Sequence, residues 1–241
     1  MTNEEHIAID VDGTQVSGVY ARPADATATI VVAHGAGAGM EHPFMSGFTR
    51  AMNELGVATL RFNFPYREAG RRFPDRPPVA IATWRAAMAV AVARAGVAKE
   101  PGSGGRDAGE REVGEPEPIW ASGKSFGGRM ASMAVADGMP AAGLVYLGYP
   151  LHPPGKPEKA RDEHLPGISV PMLFLQGRND PFAMPNAQLD ELVARIGPTA
   201  TLEWIENANH SFEVKGAKRP AAEVGASLAP RVAEFVGAPT R

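Results

Sequence analysis

The apolar residues of the chain fall into short continuous runs, separated by longer segments with helical periodicity. A short run of this kind is typical of a strand buried on both faces. The runs that predict strands are residues 28–33, 57–64, 142–147, 171–176 and 201–205. The segments that predict helices are residues 44–55, 79–95, 129–137, 186–196 and 221–236. Right-handed crossovers turn this alternation into an α/β fold, a mostly parallel sheet with helices on both faces.

Three stretches depart from the alternation. Residues 7–11 and 15–21 alternate apolar and polar positions around an Asp-Gly pair, which predicts an antiparallel hairpin at the edge of the sheet. Residues 66–78 are basic and rich in proline, which predicts a loop. Residues 101–118 have hardly an apolar residue and cannot bury a core of their own. We interpret them as a flexible surface insertion within one domain that spans residues 1–241.

Composition narrows the possible functions. The 241 residues carry a formal net charge of −3 with both signs interspersed, so there is no basic patch for nucleic acid or an anionic membrane. The chain has no cysteine, which excludes disulfides, thiolate metal sites and a cysteine nucleophile. The N-terminus lacks the features of a signal peptide, and no uninterrupted apolar stretch is long enough to span a bilayer. We therefore expect a soluble cytoplasmic protein that acts on a small molecule.

A serine flanked by glycines follows a further apolar run and precedes a predicted helix, within residues 118–130. In a nucleophile elbow, G-x-S-x-G, the serine lies in a strained turn between strand and helix, and its neighbours two residues away must lack a side chain. Here the serine is Ser125, and the flanking residues are Gly123 and Gly127. Gly128 then allows the helix to begin close to the sheet.

A glycine-rich loop, H-G-A-G-A-G, begins at His34, directly after the run of residues 28–33. A phosphate-binding loop would require a Walker pattern, or G-x-G-x-x-G that runs directly into a helix, and neither is present. The alternative is an oxyanion loop, whose backbone N–H groups point at a developing negative charge. We favour the oxyanion loop, with His34 holding it by hydrogen bonds.

Serine, aspartate and histidine follow three different predicted strands, in that order along the chain. A serine hydroxyl is protonated at neutral pH, so it needs a histidine to accept its proton and a carboxylate to orient the imidazole. Ser125 follows the elbow strand, Asp180 the strand of residues 171–176, and His210 the last strand. Asp180 on its own could equally initiate a turn, since it lies in N-D-P-F. Together the three predict a catalytic triad at one rim of the sheet.

Five segments of the chain together resemble a known family. They are H-G-A-G-A-G, G-K-S-F-G-G-R-M, Y-P-L-H-P-P-G-K-P-E-K-A-R-D-E-H-L, Q-G-R-N-D-P-F and W-I-E-N-A-N-H-S-F-E-V-K-G. The chain resembles the α/β-hydrolases across nearly its whole length. More narrowly, it is similar to the small hydrolases of the testis-expressed protein thirty family, distant relatives of a subunit of the NSL chromatin complex. Bacterial members are often labelled dienelactone-hydrolase-like.

This resemblance implies a role for each residue of the site. The nucleophile would be Ser125, the acid Asp180 and the base His210, with the backbone N–H groups of Ala36 and Phe126 as oxyanion donors. Further pocket residues would be Gly37, Tyr149 and His152, although His152 could simply lie beside the prolines that follow it. Dienelactone hydrolases proper use cysteine, so their substrate does not carry over to a chain without cysteine. No metal and no organic cofactor is implied.

The predicted function is hydrolysis of an ester with a small acyl group, through an acyl-enzyme on the Ser-Asp-His triad. The connection after the strand of residues 142–147 is too short for a lid domain, so we expect an open pocket and short acyl chains. Two alternatives stay open: a binding or scaffold protein on a hydrolase fold, and a thioesterase, amidase or peptidase that uses the same triad. The sequence does not indicate the natural substrate or the oligomeric state.

Overall fold

Eight strands form one sheet in the computed structural model, which describes residues 2–97 and 116–237. The spatial order of the strands is β1-β2-β4-β3-β5-β6-β7-β8. Their bounds are β1 Glu4–Val11, β2 Thr14–Ala21, β3 Thr29–Ala33, β4 Ala58–Phe62, β5 Ile119–Lys124, β6 Leu144–Leu147, β7 Met172–Gly177 and β8 Ala200–Ile205.

The sheet is antiparallel at one edge and parallel elsewhere. Strands β1 and β2 form a hairpin, and β2 pairs antiparallel with β4. All the remaining pairs, from β4 to β8, are parallel. The hairpin turn needs positive φ angles at Asp12 (50°) and Gly13 (83°), which an Asp-Gly pair tolerates. The predicted edge hairpin and the predicted parallel sheet are thereby confirmed.

Helices cover both faces of this sheet. They are α1 Pro43–Glu54, α2 Pro65–Glu68, α3 Pro77–Val97, α4 Phe126–Ala136, α5 Asn186–Ile196, α6 Ala221–Ala226 and α7 Ala229–Gly237. A 3-10 turn, Leu165–Gly167, lies between β6 and β7. One apolar core joins the sheet to α3, α4 and α5, with Trp84 and Met130 fully buried in it. A second core joins the opposite face to α1, α6 and α7, with Phe48 and Val232 fully buried.

Two elements differ from the sequence prediction. The predicted loop of residues 66–78 overlaps the short helix α2 at its start and the first residues of α3 at its end; within α2, the Tyr66 N–H donates to Asp75 Oδ2 at 2.8 Å. The predicted helix of residues 221–236 is two helices, with a break between Ala226 and Ala229. Pro230 explains the break, because proline has no N–H for a helical bond and its ring clashes with the carbonyl four residues earlier. At the start of a new helix the same residue is well tolerated.

Helix α3 is a long apolar helix, although Arg85 and Arg94 interrupt its apolar run. Its residues Pro77–Gly96 reach the length and hydropathy of a membrane-crossing helix. Core packing provides another reason for that composition, since Ala80, Trp84, Ala87 and Ala91 are fully buried against the sheet and α4.

The predicted insertion at residues 101–118 lies outside the described residues, except for its last three. Within those three, Glu117 accepts hydrogen bonds from both terminal nitrogens of Arg22, at 2.9 and 2.8 Å. The same carboxylate accepts from Thr29 Oγ1 at 2.6 Å. The approach to β5 is therefore fixed to the strands beside it.

Candidate active site

Ser125 occupies the sharp turn between β5 and α4, with φ 50° and ψ −113°. A positive φ is unfavourable for a residue with a side chain, so close packing must hold this turn in place. A Cβ on Gly123 would lie 2.3 Å from the Gly128 nitrogen, and a Cβ on Gly127 would lie 2.6 Å from the Ala33 oxygen. The turn has the backbone geometry of a nucleophile elbow, and the glycines allow strand, turn and helix to approach this closely.

The structure brings together the three side chains predicted as the triad. Nε2 of His210 lies 2.9 Å from the Ser125 hydroxyl, and Nδ1 lies 2.6 Å from Oδ2 of Asp180. Asp180 is fully buried, and the side chain of His210 is 21% exposed. An ionised carboxylate can only accept, so Nδ1 of His210 carries the proton and Nε2 is free to accept from the serine hydroxyl.

Two neighbours hold Asp180 in this orientation. Gln176 Nε2 donates to Oδ2 at 2.5 Å, and the Phe182 N–H donates to Oδ1 at 2.8 Å. The Phe182 ring also lies against the His210 imidazole, with ring centroids 4.3 Å apart. Sequence reasoning missed Gln176, although a polar residue at the end of a fully apolar strand is a detectable signal.

Burial lowers the pKa of His210 below its ordinary value, and the positive charge of Lys124 lowers it further. The hydrogen bond and charge of Asp180 act in the opposite direction without reversing the shift. His210 is therefore neutral at pH 7, the form that a general base requires.

Lys124 is a second residue of the site that sequence reasoning missed. It precedes the nucleophile, and its ammonium group donates to the His210 backbone oxygen at 2.7 Å. The same group lies 5.6 Å from the centre of the Phe212 ring. Burial lowers the pKa of Lys124 to about 8, although the negative charge of Asp180 opposes that shift. Lys124 thus ties the loop that contains His210 to the end of β5, directly before Ser125.

The glycine loop after β3 is held from behind by His34. This imidazole is fully buried, its Nδ1–H donates to the Gly35 oxygen at 2.8 Å, and its Nε2 accepts from the Phe64 N–H at 3.3 Å. Burial lowers its pKa to about 4, so the ring is neutral and both bonds persist at pH 7. The prediction that His34 holds this loop is confirmed. The Tyr66 hydroxyl braces the same loop, donating to the Gly35 oxygen at 3.4 Å.

The backbone N–H groups of Ala36 and Phe126 are the predicted oxyanion donors. Phe126 is the first residue of α4, where an N–H has no partner within the helix. Neither N–H donates a hydrogen bond to any residue in the described part of the chain. Both groups are therefore free to bind a negatively charged oxygen.

A cavity of about 530 Å³ opens beside Ser125 and His210. The glycine loop forms one wall with Ala36 and Gly37, and the residues that complete the lining include His42, Phe44, Met45, Lys124, Phe182, Glu213 and Val224. The cavity has an apolar inner end, formed by side chains from α1 and α6, and a polar rim. It can hold a small molecule with its reacting atom against the serine.

Tyr149 and His152 lie outside this cavity, contrary to the expectation that they line it. Both are fully buried. The Tyr149 hydroxyl donates to the Arg161 backbone oxygen at 2.7 Å, and the Tyr149 backbone N–H donates to Gln176 Oε1 at 2.8 Å. The His152 N–H donates to the backbone oxygen of Phe182 at 3.1 Å. They support residues of the site from behind, because the chain after β6 turns into the core at this point.

Among residues 2–97 and 116–237, no group of three histidine, aspartate or glutamate side chains is arranged to hold a metal ion. The side chains around Ser125 instead form a linear relay from carboxylate to imidazole to hydroxyl.

The family model for the alpha/beta hydrolase domain matches residues 26–237. The chain belongs to this family. The match begins just before β3 and ends with α7, so it includes every strand of the parallel part of the sheet and the loops that carry Ser125, Asp180 and His210.

Solved structures of α/β-hydrolases share the fold over nearly the whole chain. Dienelactone hydrolase from Anabaena variabilis has a TM-score of 0.69 at 20% identity and covers 95% of this chain and 96% of its own. A serine hydrolase without a lid from Xanthomonas campestris has a TM-score of 0.71 at 18% identity. The match covers 99% of this chain and 97% of the Xanthomonas chain. A cold-adapted esterase from an Arctic intertidal metagenomic library has a TM-score of 0.65 at 18% identity. The match covers 97% of this chain and 94% of the esterase chain.

The connection between β6 and β7 is where an α/β-hydrolase can carry a lid. Here it runs from Gly148 to Pro171, and its only helical element in the described chain is the turn Leu165–Gly167. This segment packs against α4 and α5. It leaves the cavity beside Ser125 open to solvent.

Proposed function

We propose that this α/β-hydrolase cleaves an ester of a small acyl group through a covalent acyl-enzyme on Ser125. The relay of hydrogen bonds from Asp180 through His210 to Ser125 carries this proposal. It ends at a serine in an elbow turn that faces an open cavity. Such an arrangement supplies an activated nucleophile and room for its substrate.

Acylation begins when the Ser125 hydroxyl attacks the ester carbonyl carbon and its proton passes to Nε2 of His210. Asp180 stabilises the imidazolium that forms. The backbone N–H groups of Ala36 and Phe126 donate to the carbonyl oxygen as it becomes negative. His210 then gives its proton to the departing alkoxide, the C–O bond breaks, and an acyl-serine remains.

Deacylation repeats these steps with water as the nucleophile. His210 accepts a proton from water, the resulting hydroxide attacks the acyl carbon, and the same two N–H groups hold the oxyanion. The proton returns to Ser125 as the carboxylic acid leaves. Removing one oxyanion donor typically lowers kcat by about 10²–10³.

The apolar end of the cavity supports a short acyl group. Phe44 and Met45 of α1 and Val224 of α6 form it. The two helices are in backbone contact, because a Cβ on Gly47 would lie 2.2 Å from the Ala222 oxygen and a Cβ on Gly225 would lie 2.1 Å from the Phe44 oxygen. A long chain could extend past this wall only if the helices moved apart.

We also place the chain with the small hydrolases similar to testis-expressed protein thirty. The segments Y-P-L-H-P-P and A-N-H-S support this assignment. The second contains His210, and the first contributes Tyr149, whose N–H bonds the glutamine that orients Asp180.

The deciding experiment is intact-mass analysis after reaction with a fluorophosphonate, on wild type, Ser125→Ala and His210→Ala. We expect one adduct on wild type, no adduct on Ser125→Ala and strongly slowed labelling of His210→Ala. Folded protein without an adduct would exclude the acyl-enzyme mechanism and favour a binding or scaffold role. For a reactive protein, paired ester, thioester and amide substrates with one acyl group identify the leaving group.

A further inference from the structure

A second cavity, of about 460 Å³, lies between α4 and the segment that precedes the turn Leu165–Gly167. Its lining includes Arg129 and Met133 of α4 together with Arg161 and His164 of that segment. It shares no lining residue with the cavity beside Ser125. The proposed ester hydrolysis therefore makes no use of it.

Arg129 in this cavity is a half-buried cation that has no ion-pair partner among residues 2–97 and 116–237. Its Nε is buried and has no hydrogen-bond partner, and its guanidinium forms no ion pair with any carboxylate in the described residues. Taking such a group from water without compensation is unfavourable, so buried arginines are normally paired or bind a ligand. The Nε of Arg61 also lacks a hydrogen-bond partner, but its guanidinium forms ion pairs with the carboxylates of Glu4 and Glu41, which Arg129 does not have in the described residues.

Arg161 adds a second cation to the same cavity, and it too forms no ion pair within the described chain. Burial lowers the pKa of Arg129 below its ordinary value, and the positive charge of Arg161 lowers it further, although Tyr149 acts in the opposite direction. The buried core holds the Arg161 backbone in place, since the Arg161 oxygen accepts from the Tyr149 hydroxyl at 2.7 Å and the Arg161 N–H donates to the Leu151 oxygen at 2.8 Å. Two repelling charges are thus kept together by the fold.

The wall between these arginines is also ordered. Ser132 donates to the Arg129 backbone oxygen at 2.8 Å, and its hydroxyl lies 2.7 Å from Nε2 of His164. The acidic residues of the cavity do not neutralise the arginines, because Asp137 pairs with Arg85 outside and Glu163 is exposed with no ion pair in the described residues.

We propose that this cavity binds an oxyanion, the phosphate or carboxylate group of a small molecule, on the guanidinium groups of Arg129 and Arg161. A guanidinium presents two parallel N–H donors that match two oxygens of either group. One bound anion would supply the missing partner of Arg129 and relieve the repulsion between the two arginines. The site is separate from the proposed hydrolysis, so its occupancy can be measured on protein with or without activity.

The test is thermal unfolding of wild type, Arg129→Met, Arg161→Met and Arg50→Met, with sodium phosphate, sodium acetate or sodium chloride at equal ionic strength. Arg50 is the matched control, an exposed helical arginine outside both cavities. A ligand that binds only the folded state raises Tm with its concentration. We expect phosphate or acetate to raise the Tm of wild type and Arg50→Met above the chloride value, and neither to do so for the other two variants.

Titration calorimetry with the same two anions measures affinity directly. We expect the Kd to weaken by about tenfold or more in Arg129→Met and in Arg161→Met. The anion that binds more tightly identifies the group as phosphate or carboxylate. A rise in Tm shared by all four proteins, or wild-type binding that Arg161→Met retains, would overturn the proposal. If Arg129→Met does not fold, Arg161→Met decides alone, because its side chain is on a surface segment.

Discussion

Lys124 precedes Ser125, the proposed nucleophile, and contacts His210, the proposed base. Its ammonium group donates to the His210 backbone oxygen, while its charge lowers the His210 pKa. A neutral imidazole at Nε2 is needed to accept the serine proton. At the scale of single residues, this lysine extends the pH range in which the base can work.

Replacing Lys124 by Met tests that effect. Removing the positive charge raises the His210 pKa, so the acidic limb of kcat/KM should move to higher pH. We expect a several-fold loss at about pH 5.5 and a smaller loss at about pH 8, where His210 is neutral in both proteins. The exposed Lys156→Met is the control. An unchanged acidic limb would exclude an electrostatic role for Lys124.

His34 connects the stability of the glycine loop to pH. Its pKa is about 4 in the folded protein, against an ordinary value of 6.5. Because the folded pKa is the lower one, the unfolded chain binds the extra proton first, and stability falls as pH drops from about 6.5 towards 4. Above that window the ring is neutral in both states and contributes no pH dependence.

His34→Gln should remove this pH dependence and keep the loop. A glutamine amide can donate to the Gly35 oxygen and accept from the Phe64 N–H, and it does not titrate. We expect wild type to lose about 2 kcal/mol more than His34→Gln between about pH 7.5 and pH 5. Urea unfolding at both values measures the difference. Equal losses in the two proteins would show that His34 is not the titrating group.

At the scale of elements, backbone contact between β5 and α4 forms the elbow. The Cβ that Gly123 lacks would lie 2.3 Å from the Gly128 nitrogen, and backbone atoms cannot move aside as a flexible side chain can. The strain at Ser125, with its φ of 50°, is maintained by this contact.

Gly123→Ala should therefore separate the strand from the helix. We expect a loss of about 3 kcal/mol or more in the free energy of unfolding, or failure to fold. Gly96→Ala is the control, since a Cβ at that position of α3 meets no atom of the described residues within 4 Å. It should be neutral or stabilise by up to about 1 kcal/mol. Similar urea midpoints for the two variants would show that β5 and α4 are not packed this closely.

Helices were predictable from the sequence where the periodicity of apolar residues and the flanking residues fix the helix ends. Residues 186–196 were predicted as a helix and form α5 with those bounds, because the segment is amphipathic between a proline and a glycine. The pattern of residues 221–236 suggested one helix, and Pro230 divides it. Helix α2 has four residues, too few for periodicity to detect.

At the scale of the whole molecule, the apolar end of the cavity depends on α1 and α6, which are far apart in the sequence. Met45 of α1 is 1% exposed and forms part of this wall. Under the proposed function, wild type should prefer p-nitrophenyl esters of short acids, and kcat/KM should fall steadily as the acyl chain lengthens.

Met45→Ala should enlarge the pocket and move the preference to longer chains. We expect kcat/KM for a medium-chain ester to rise relative to the acetate, since each added methylene that finds an apolar site contributes about 0.8 kcal/mol. Leu55→Ala, an exposed residue just after the same helix, should leave the ratio unchanged. A wild-type profile that peaks at long chains would contradict the short-acyl proposal.

The sequence by itself predicted the order of the strands along the chain and the elbow around Ser125, because glycine spacing and apolar runs act over a few residues. Asp180 and His210 were predicted from their positions after the last two strands. Only the tertiary structure decided which side chains surround them. Lys124 reaches the His210 backbone, Gln176 reaches Asp180, and Tyr149 turns away from the cavity. The Nε of Arg129, which has no hydrogen-bond partner in the described chain, is likewise visible only in the structure, since burial and hydrogen-bond partners depend on contacts between distant segments.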